Sequence, residues 1–138
     1  MRIIALLAAV ATLAACASPG TPEAPDPLAL DAPPVPLARY EWDTSAAMEA
    51  LLEGPLTLRD GCLYVGDIVP AFPRHLASWD ADTETLRYAG RDYNAGDVIS
   101  AGGGVAASLD AIEIPSGCTL NQFGEVFLVQ DEDLEPAS

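Results

Sequence analysis

The sequence predicts a small all-β domain, antiparallel and built as an OB-like or partly open barrel, held by one disulfide and entered through a short helix. Three observations carry that expectation. Asp60-Gly61 sits between two alternating apolar runs, which is a strong short-range hairpin signal. Glycine and proline then punctuate the chain about every eight to twelve residues, the rhythm of short strands in sandwiches and barrels. Cys62 and Cys118 form an even pair once Cys16 is assigned elsewhere.

Tyr40-Glu41-Trp42 opens the folded part. Asp43 to Glu53 reads as a short helix: Asp43 or Thr44 can cap it, Ala47, Met48, Leu51 and Leu52 share one helical face, and Gly54-Pro55 stops it. The hairpin follows. Asp-Gly suits a type I′ turn because both central residues need φ > 0. The register then pairs Arg59 with Cys62, Leu58 with Leu63, Thr57 with Tyr64 and Leu56 with Val65. Leu56, Leu58, Leu63 and Val65 fall on one face, so both strands agree on which side is core. Pro70 and Pro73 flank Phe72, and strands are expected at His75–Trp79 and Thr85–Tyr88, separated by Asp80-Ala81-Asp82. Gly90 turns the chain before Arg91-Asp92-Tyr93, and Asn94-Ala95-Gly96-Asp97 turns it into Val98-Ile99-Ser100. Gly102-Gly103-Gly104 is expected to break or bend the chain. Ile112 and Ile114 alternate, Phe123 to Val129 gives a last strand, and the stretch from Gln130 reads as a frayed acidic tail.

The start of the chain has a different character. Met1-Arg2 carries one positive charge, and Ile3 to Ala15 holds no charged side chain. That run is too short for a core of about 30 Å and reads as a secretory signal. Leu13-Ala14-Ala15-Cys16 resembles the lipobox of bacterial lipoproteins, in which the thiol of the cysteine is diacylated and the preceding peptide is removed. The resemblance implies lipidation at Cys16 and a membrane as partner through the N-terminal lipid. Ala17, not aspartate, follows the cysteine, which by analogy with two-membrane bacteria implies passage to the outer membrane. Seven prolines between Ala17 and Ala38 read as an extended spacer; its 22 residues would reach about 65–70 Å as polyproline. The expected organisation is a lipoprotein signal peptide over 1–15, lipidated cysteine and Pro-rich linker over 16–38, a β-rich domain over 39–130 and an acidic tail over 131–138.

In an exported chain Cys62 and Cys118 are expected to form a disulfide. The bond would close a loop of about 57 residues and stabilise the domain by about 4 kcal/mol in the chain-entropy model. A catalytic thiol or metal ligand is the rival reading. A catalytic thiol needs a base, and His75 is the one histidine.

A second resemblance spans about 65 residues. Gly54-Pro55-Leu56-Thr57-Leu58-Arg59-Asp60-Gly61-Cys62-Leu63 leads to Pro70-Ala71-Phe72-Pro73, then to Asn94-Ala95-Gly96-Asp97-Val98-Ile99, Gly102-Gly103-Gly104 and Cys118. This is similar to a small uncharacterised exported domain of bacterial lipoproteins and secreted proteins. The resemblance implies a β-rich fold and a Cys62–Cys118 bond, and it implies no activity.

Candidate chemistry is thin. His75 is the first candidate for general-base work, and the candidate nucleophiles Ser78, Ser100, Ser108 and Ser116 sit in no nucleophile-elbow pattern. Asp80, Asp82 and Glu84 space three carboxylates as a calcium loop does, yet Thr85 stands where the loop glycine would be and Arg91 where its closing glutamate would be. The glycine run has no following lysine for a P-loop. Trp42, Tyr64, Phe72, Trp79, Tyr88 and Tyr93 suit either a ligand groove or a small β-core. No catalytic residue, metal or cofactor is assigned.

Charge narrows the partners. Six arginines and no lysine stand against twenty-one acids, a formal net charge of −15. Loss of the leader with Arg2 makes the balance one unit more negative. Nucleic acid and anionic headgroups both require basic surface, so neither is an expected ligand. The sequence therefore points to a lipid-anchored envelope protein with a non-enzymatic interaction or structural role and an envelope protein partner. Two alternatives are an inhibitor of a basic cell-wall hydrolase, since disulfide-stapled lipoprotein inhibitors of lysozymes share this build, and a calcium-dependent binding module.

Overall fold

The structure is a computed structural model and describes residues 34–45 and 47–136. Cys16, the leader and most of the Pro-rich stretch lie outside the described residues. Ten strands form among those described: β1 (Ala38–Tyr40), β2 (Ala50–Arg59), β3 (Cys62–Val65), β4 (Val69–Pro73), β5 (Ala77–Asp80), β6 (Thr85–Tyr88), β7 (Arg91–Asn94), β8 (Val98–Val105), β9 (Val126–Val129) and β10 (Glu135–Pro136). The protein is all-β. A seven-stranded sheet runs β1-β4-β9-β8-β2-β3 with β10 added to β8, and a three-stranded meander runs β5-β6-β7.

The hairpin has the expected register, residue for residue from Leu56↔Val65 to Arg59↔Cys62. Its turn needs two positive φ values, and Asp60 (50°) and Gly61 (80°) supply them. Both faces of β3 are covered. Leu56, Leu63 and Val65 join one core cluster with Phe72, Leu86, Tyr88, Ile99 and Leu134. Cys62 and Tyr64 join a second with Ala38, Val69, Ala71 and Val126. The Cys62–Cys118 disulfide is formed, with Cα atoms 4.9 Å apart. It ties the strandless run between β8 and β9 to the hairpin, over the second cluster.

Several expectations are corrected. The large sheet is mixed, because β1 pairs β4 and β4 pairs β9 in parallel. Those partners are far apart in sequence, where no turn signal can announce them. The sheets do not close into a barrel. Leu63 N–H reaches the Pro36 carbonyl across the gap between β3 and the segment leading into β1 (2.9 Å), but proline has no N–H to return and no ladder grows. No helix exists among the described residues. The expected cap at Asp43 is real, accepting from Ser45 N–H (2.9 Å) and Ser45 hydroxyl (2.6 Å). It caps a turn in which Thr44 has φ 60°, a left-handed value that cannot start a helix. The expected stop at Gly54-Pro55 lies inside β2.

Strand β5 starts at Ala77, not His75, because Leu76 N–H turns back to the Pro73 carbonyl (3.1 Å). Ile112 and Ile114 form no strand; Glu113 between them makes an isolated bridge to Arg39. The glycine run does not break the chain: β8 passes straight through it. A Cβ at Gly103 would land on the Leu128 carbonyl oxygen, so glycine here marks close approach of β9. The folded part also begins earlier than residue 39, with Leu37 and Ala38 fully buried. The acidic tail is not frayed through residue 136: Leu134 is fully buried and Glu135-Pro136 pair with Ser100 and Ile99.

Two outcomes follow. Cys62→Ala with Cys118→Ala should lower stability by about 4 kcal/mol, read from urea unfolding against the oxidised parent. Gly103→Ala should cost about 3 kcal/mol by forcing β8 from β9; a melting curve within a degree of the parent would contradict the close approach.

Candidate interaction surface

The sequence candidates for chemistry do not converge. His75 lies exposed on the turn between β4 and β5. Ser78 is exposed on β5, Ser100 is half-buried in β8, and Ser108 hydroxyl accepts from Asp110 N–H (3.2 Å). Among the described residues no hydrogen bond joins His75 to Ser78, Ser100, Ser108 or Ser116. Asp80 Oδ1 accepts from Asp82 N–H (2.9 Å) and Thr83 N–H (3.2 Å), so it closes a turn. Among the described residues no three His, Cys, Asp or Glu groups, Asp80, Asp82 and Glu84 included, stand where they could hold a metal ion. Tyr64, Phe72, Tyr88 and Tyr93 are buried, and Trp42 and Trp79 half-buried. The aromatic set is mainly core, with Phe72 and Tyr88 ring centroids 5.7 Å apart.

A different constellation emerges at the C-terminus. Two buried phenols donate to carbonyls of the acidic segment, Tyr88 to Asp131 (2.5 Å) and Tyr93 to Leu134 (2.7 Å), and a third, Tyr40, donates to Val129 (2.6 Å) at the end of β9 where that segment begins. With Leu134 as an apolar plug, they strap the acidic segment onto the fold. The Asp131 carboxylate accepts from Gly102 N–H, and Gln130 N–H donates to the Gly102 carbonyl (2.8 Å). The side chain of Asp131 thus fills the gap in the β8 ladder between β9 and β10. Glycine at 102 leaves it room, since a Cβ there would lie 2.9 Å from Asp131 Oδ1. Burial pushes the Tyr40 phenol up to about 12. Burial also raises Tyr88, helped by Tyr40 and by the charges of Asp131 and Asp133. Tyr93 rises through burial first and Asp133 second.

The strap forms one wall of an open groove of about 630 Å³. Met48, Glu49, Ala50 and Leu51 form the other, Ser100 and Gly102 contribute from β8, and Asp131, Asp133 and Glu135 line the strap. Leu51 is 62% exposed and Met48 40%. Glu53 stands opposite Ser100 on the neighbouring strand. The five arginines of the described residues pair with Glu113, Asp67, Glu41, Asp92 and Asp133. Only Arg91, at 3.3 Å from Asp133, ion-pairs with a groove acid. The site is an acid-lined, partly apolar surface suited to a cationic ligand with aliphatic stems.

No family model matches the chain, and no curated protein or solved structure matches it. The groove acids were missed because Asp131 to Glu135 read as a solvated tail. One signal was present: Asp131, Asp133 and Glu135, like Glu49, Leu51 and Glu53, recur at every second residue, the period of a strand face.

The strap makes the fold sensitive to alkali. The folded Tyr40 pKa of about 12 lies above the ordinary 10.0, so folding favours the neutral phenol. Its contribution is complete below about pH 10 and is lost as pH rises toward about 12. Tyrosinate absorbance and circular dichroism should therefore change together in that window. Tyr93→Phe should cost about 1–2 kcal/mol at neutral pH by leaving the Leu134 carbonyl without its donor. Tyrosinate formation in that range with an unchanged circular dichroism signal would show that the phenols do not hold the fold.

Proposed function

We propose that this chain is an envelope protein anchored by lipid on Cys16, whose β-domain is a non-enzymatic binding module for a protein partner. The lipobox-like Leu13-Ala14-Ala15-Cys16, after an uncharged run from Ile3, supports the anchor. The formed Cys62–Cys118 bond carries the compartment assignment, because disulfides persist in oxidising compartments and are rare in the cytosol. One acyl chain holds a membrane only marginally, whereas the two or three of a processed lipoprotein hold it lastingly. With Ala17 after the lipidated cysteine, the outer membrane is the destination in a two-membrane cell. The open acidic groove favours binding as the role. The same groove favours a second reading, inhibition of a basic cell-wall hydrolase, since an acidic surface speeds encounter with a basic enzyme.

Replacing Cys16 tests the anchor. Cys16→Ser should move the protein from the membrane fraction to the soluble envelope fraction, and the mass of the parent should carry acyl chains on a chain that starts at Cys16. A free thiol at residue 16, or an intact leader in the mature protein, would overturn the assignment. Crosslinking in intact envelopes should then join the domain to a specific neighbour.

A further inference from the structure

We infer that the first half of β2 is a docking edge that takes up a basic, extended segment of a partner protein as an added strand. This rests on the binding-module reading and specifies how the module binds.

The hydrogen-bond directions along β2 fix which side is open. Leu56 N–H donates to the Asp97 carbonyl (2.8 Å) and the Leu56 carbonyl accepts from Gly96 N–H (2.7 Å), so Leu56 faces the β8 side. The Pro55 carbonyl accepts from Gly66 N–H (3.0 Å), so Pro55 faces the β3 side. Backbone groups alternate sides along a strand. Ala50, Leu52 and Gly54 therefore bond to β8, and Leu51 and Glu53 direct their N–H and C=O groups away from it. Strand β3 pairs only Leu56 to Arg59. After Gly66 the chain turns back, with Val65 and Ile68 exchanging hydrogen bonds. Among the described residues no backbone hydrogen bond reaches the outward N–H and C=O groups of Leu51 and Glu53.

Such an edge is a template for another strand. Its side chains select the occupant. A second copy of this chain is disfavoured, since each carries a net charge of −15 and would bring Glu49 and Glu53 against like charge. Nucleic acid and anionic lipid are disfavoured on the same ground. A segment with basic residues at every second position meets the opposite situation. Its cations stand beside Glu49 and Glu53 and their stems cover Leu51. Ser100 and Gly102 are small, so no bulky side chain of β8 stands between the added strand and the strap acids Asp131, Asp133 and Glu135. Those acids lie within about one to two Debye lengths at physiological salt and deepen the negative potential there.

The test uses the full-length Cys16→Ser protein and a synthetic ten-residue peptide of alternating lysine and valine, with a glutamate–valine peptide as control. Amide hydrogen exchange should slow at least tenfold at Leu51 and Glu53 on adding the lysine peptide, while Leu52, already bonded to β8, changes little. Leu51→Pro removes one outward donor and leaves the β8 ladder intact, since an edge strand tolerates proline where N–H faces out; it should weaken binding at least tenfold. Glu49→Gln with Glu53→Gln should weaken it at least fivefold and flatten its salt dependence. Protection at β5 or β7 instead, equal affinity for the glutamate peptide, absence of binding, or parental affinity in folded Leu51→Pro would each overturn the inference. If Leu51→Pro does not fold, the exchange pattern of the parent decides alone. A crosslinked neighbour on another face, with no peptide protection at Leu51, would remove the docking edge and leave the anchored-module reading intact. An unlipidated Cys16 would remove that reading whatever the peptide does.

Discussion

Strand β8 has to serve more partners than its length normally allows, and its small residues are the condition for that. It pairs β2 from Val98 to Gly103, β9 from Gly103 to Val105 and β10 at Ile99 and Ser100. Gly103 lets β9 reach bonding distance, Gly104 leaves space that Met48 occupies, and Gly102 admits the Asp131 carboxylate. Bulk at Gly103 would push β8 away from β9, and bulk at Gly102 or Gly104 would displace the Asp131 and Met48 side chains. The strap depends on the same approach, because Tyr88 and Tyr93 reach its carbonyls only while the strap lies against β8.

The opposite face is secured by covalent means. Between β8 and β9 the chain forms no strand, and its backbone is satisfied by local turns and a few distant partners. Glu113 exchanges backbone hydrogen bonds with Arg39 (2.9 and 3.0 Å), and Thr119 N–H donates to the Tyr64 hydroxyl (2.9 Å). Such a segment buries little for its length, so the loss of chain freedom in the unfolded state through Cys62–Cys118 matters more here than in the strands. Exposed ion pairs add little to this. Arg74 and Arg39 both reach Glu113 and hold its carboxyl below the usual range, yet Glu113 is open to water.

What was legible in the sequence was local. Asp60-Gly61 specified the hairpin because a two-residue turn with positive φ fixes register by itself, and Thr85–Tyr88 was bounded by turns on either side. What was not legible was nonlocal. The parallel pairs β1–β4 and β4–β9 are chosen by burial of both faces, not by any turn. Ala47, Met48, Leu51 and Leu52 fit a helical face as well as a strand, and pairing with β8 settled the matter for Leu51 and Leu52. The acidic tail concealed one leucine and two distant tyrosines, whose hydrogen bonds to backbone leave no trace in local composition. The groove inherits that difficulty, since one wall comes from the tail and the other from the supposed helix.

The acids around β2 admit two physical roles that are compatible. Charge on an edge strand discourages pairing with like copies, and Glu49 and Glu53 occupy the positions where such protection acts. Protection alone would be served by burying the edge or by placing cations near those acids, as the arginines do elsewhere on this surface. Here the edge projects past β3, Leu51 is left in water, and the one arginine ion-paired with a groove acid, Arg91, is held by Asp133 at the far wall. A like-charged strand is repelled by that arrangement, while a basic one gains both the open backbone groups and the unneutralised field. Selectivity of this kind needs no deep pocket: it arises from the difference between a pairing that relieves the acidic potential and one that doubles it.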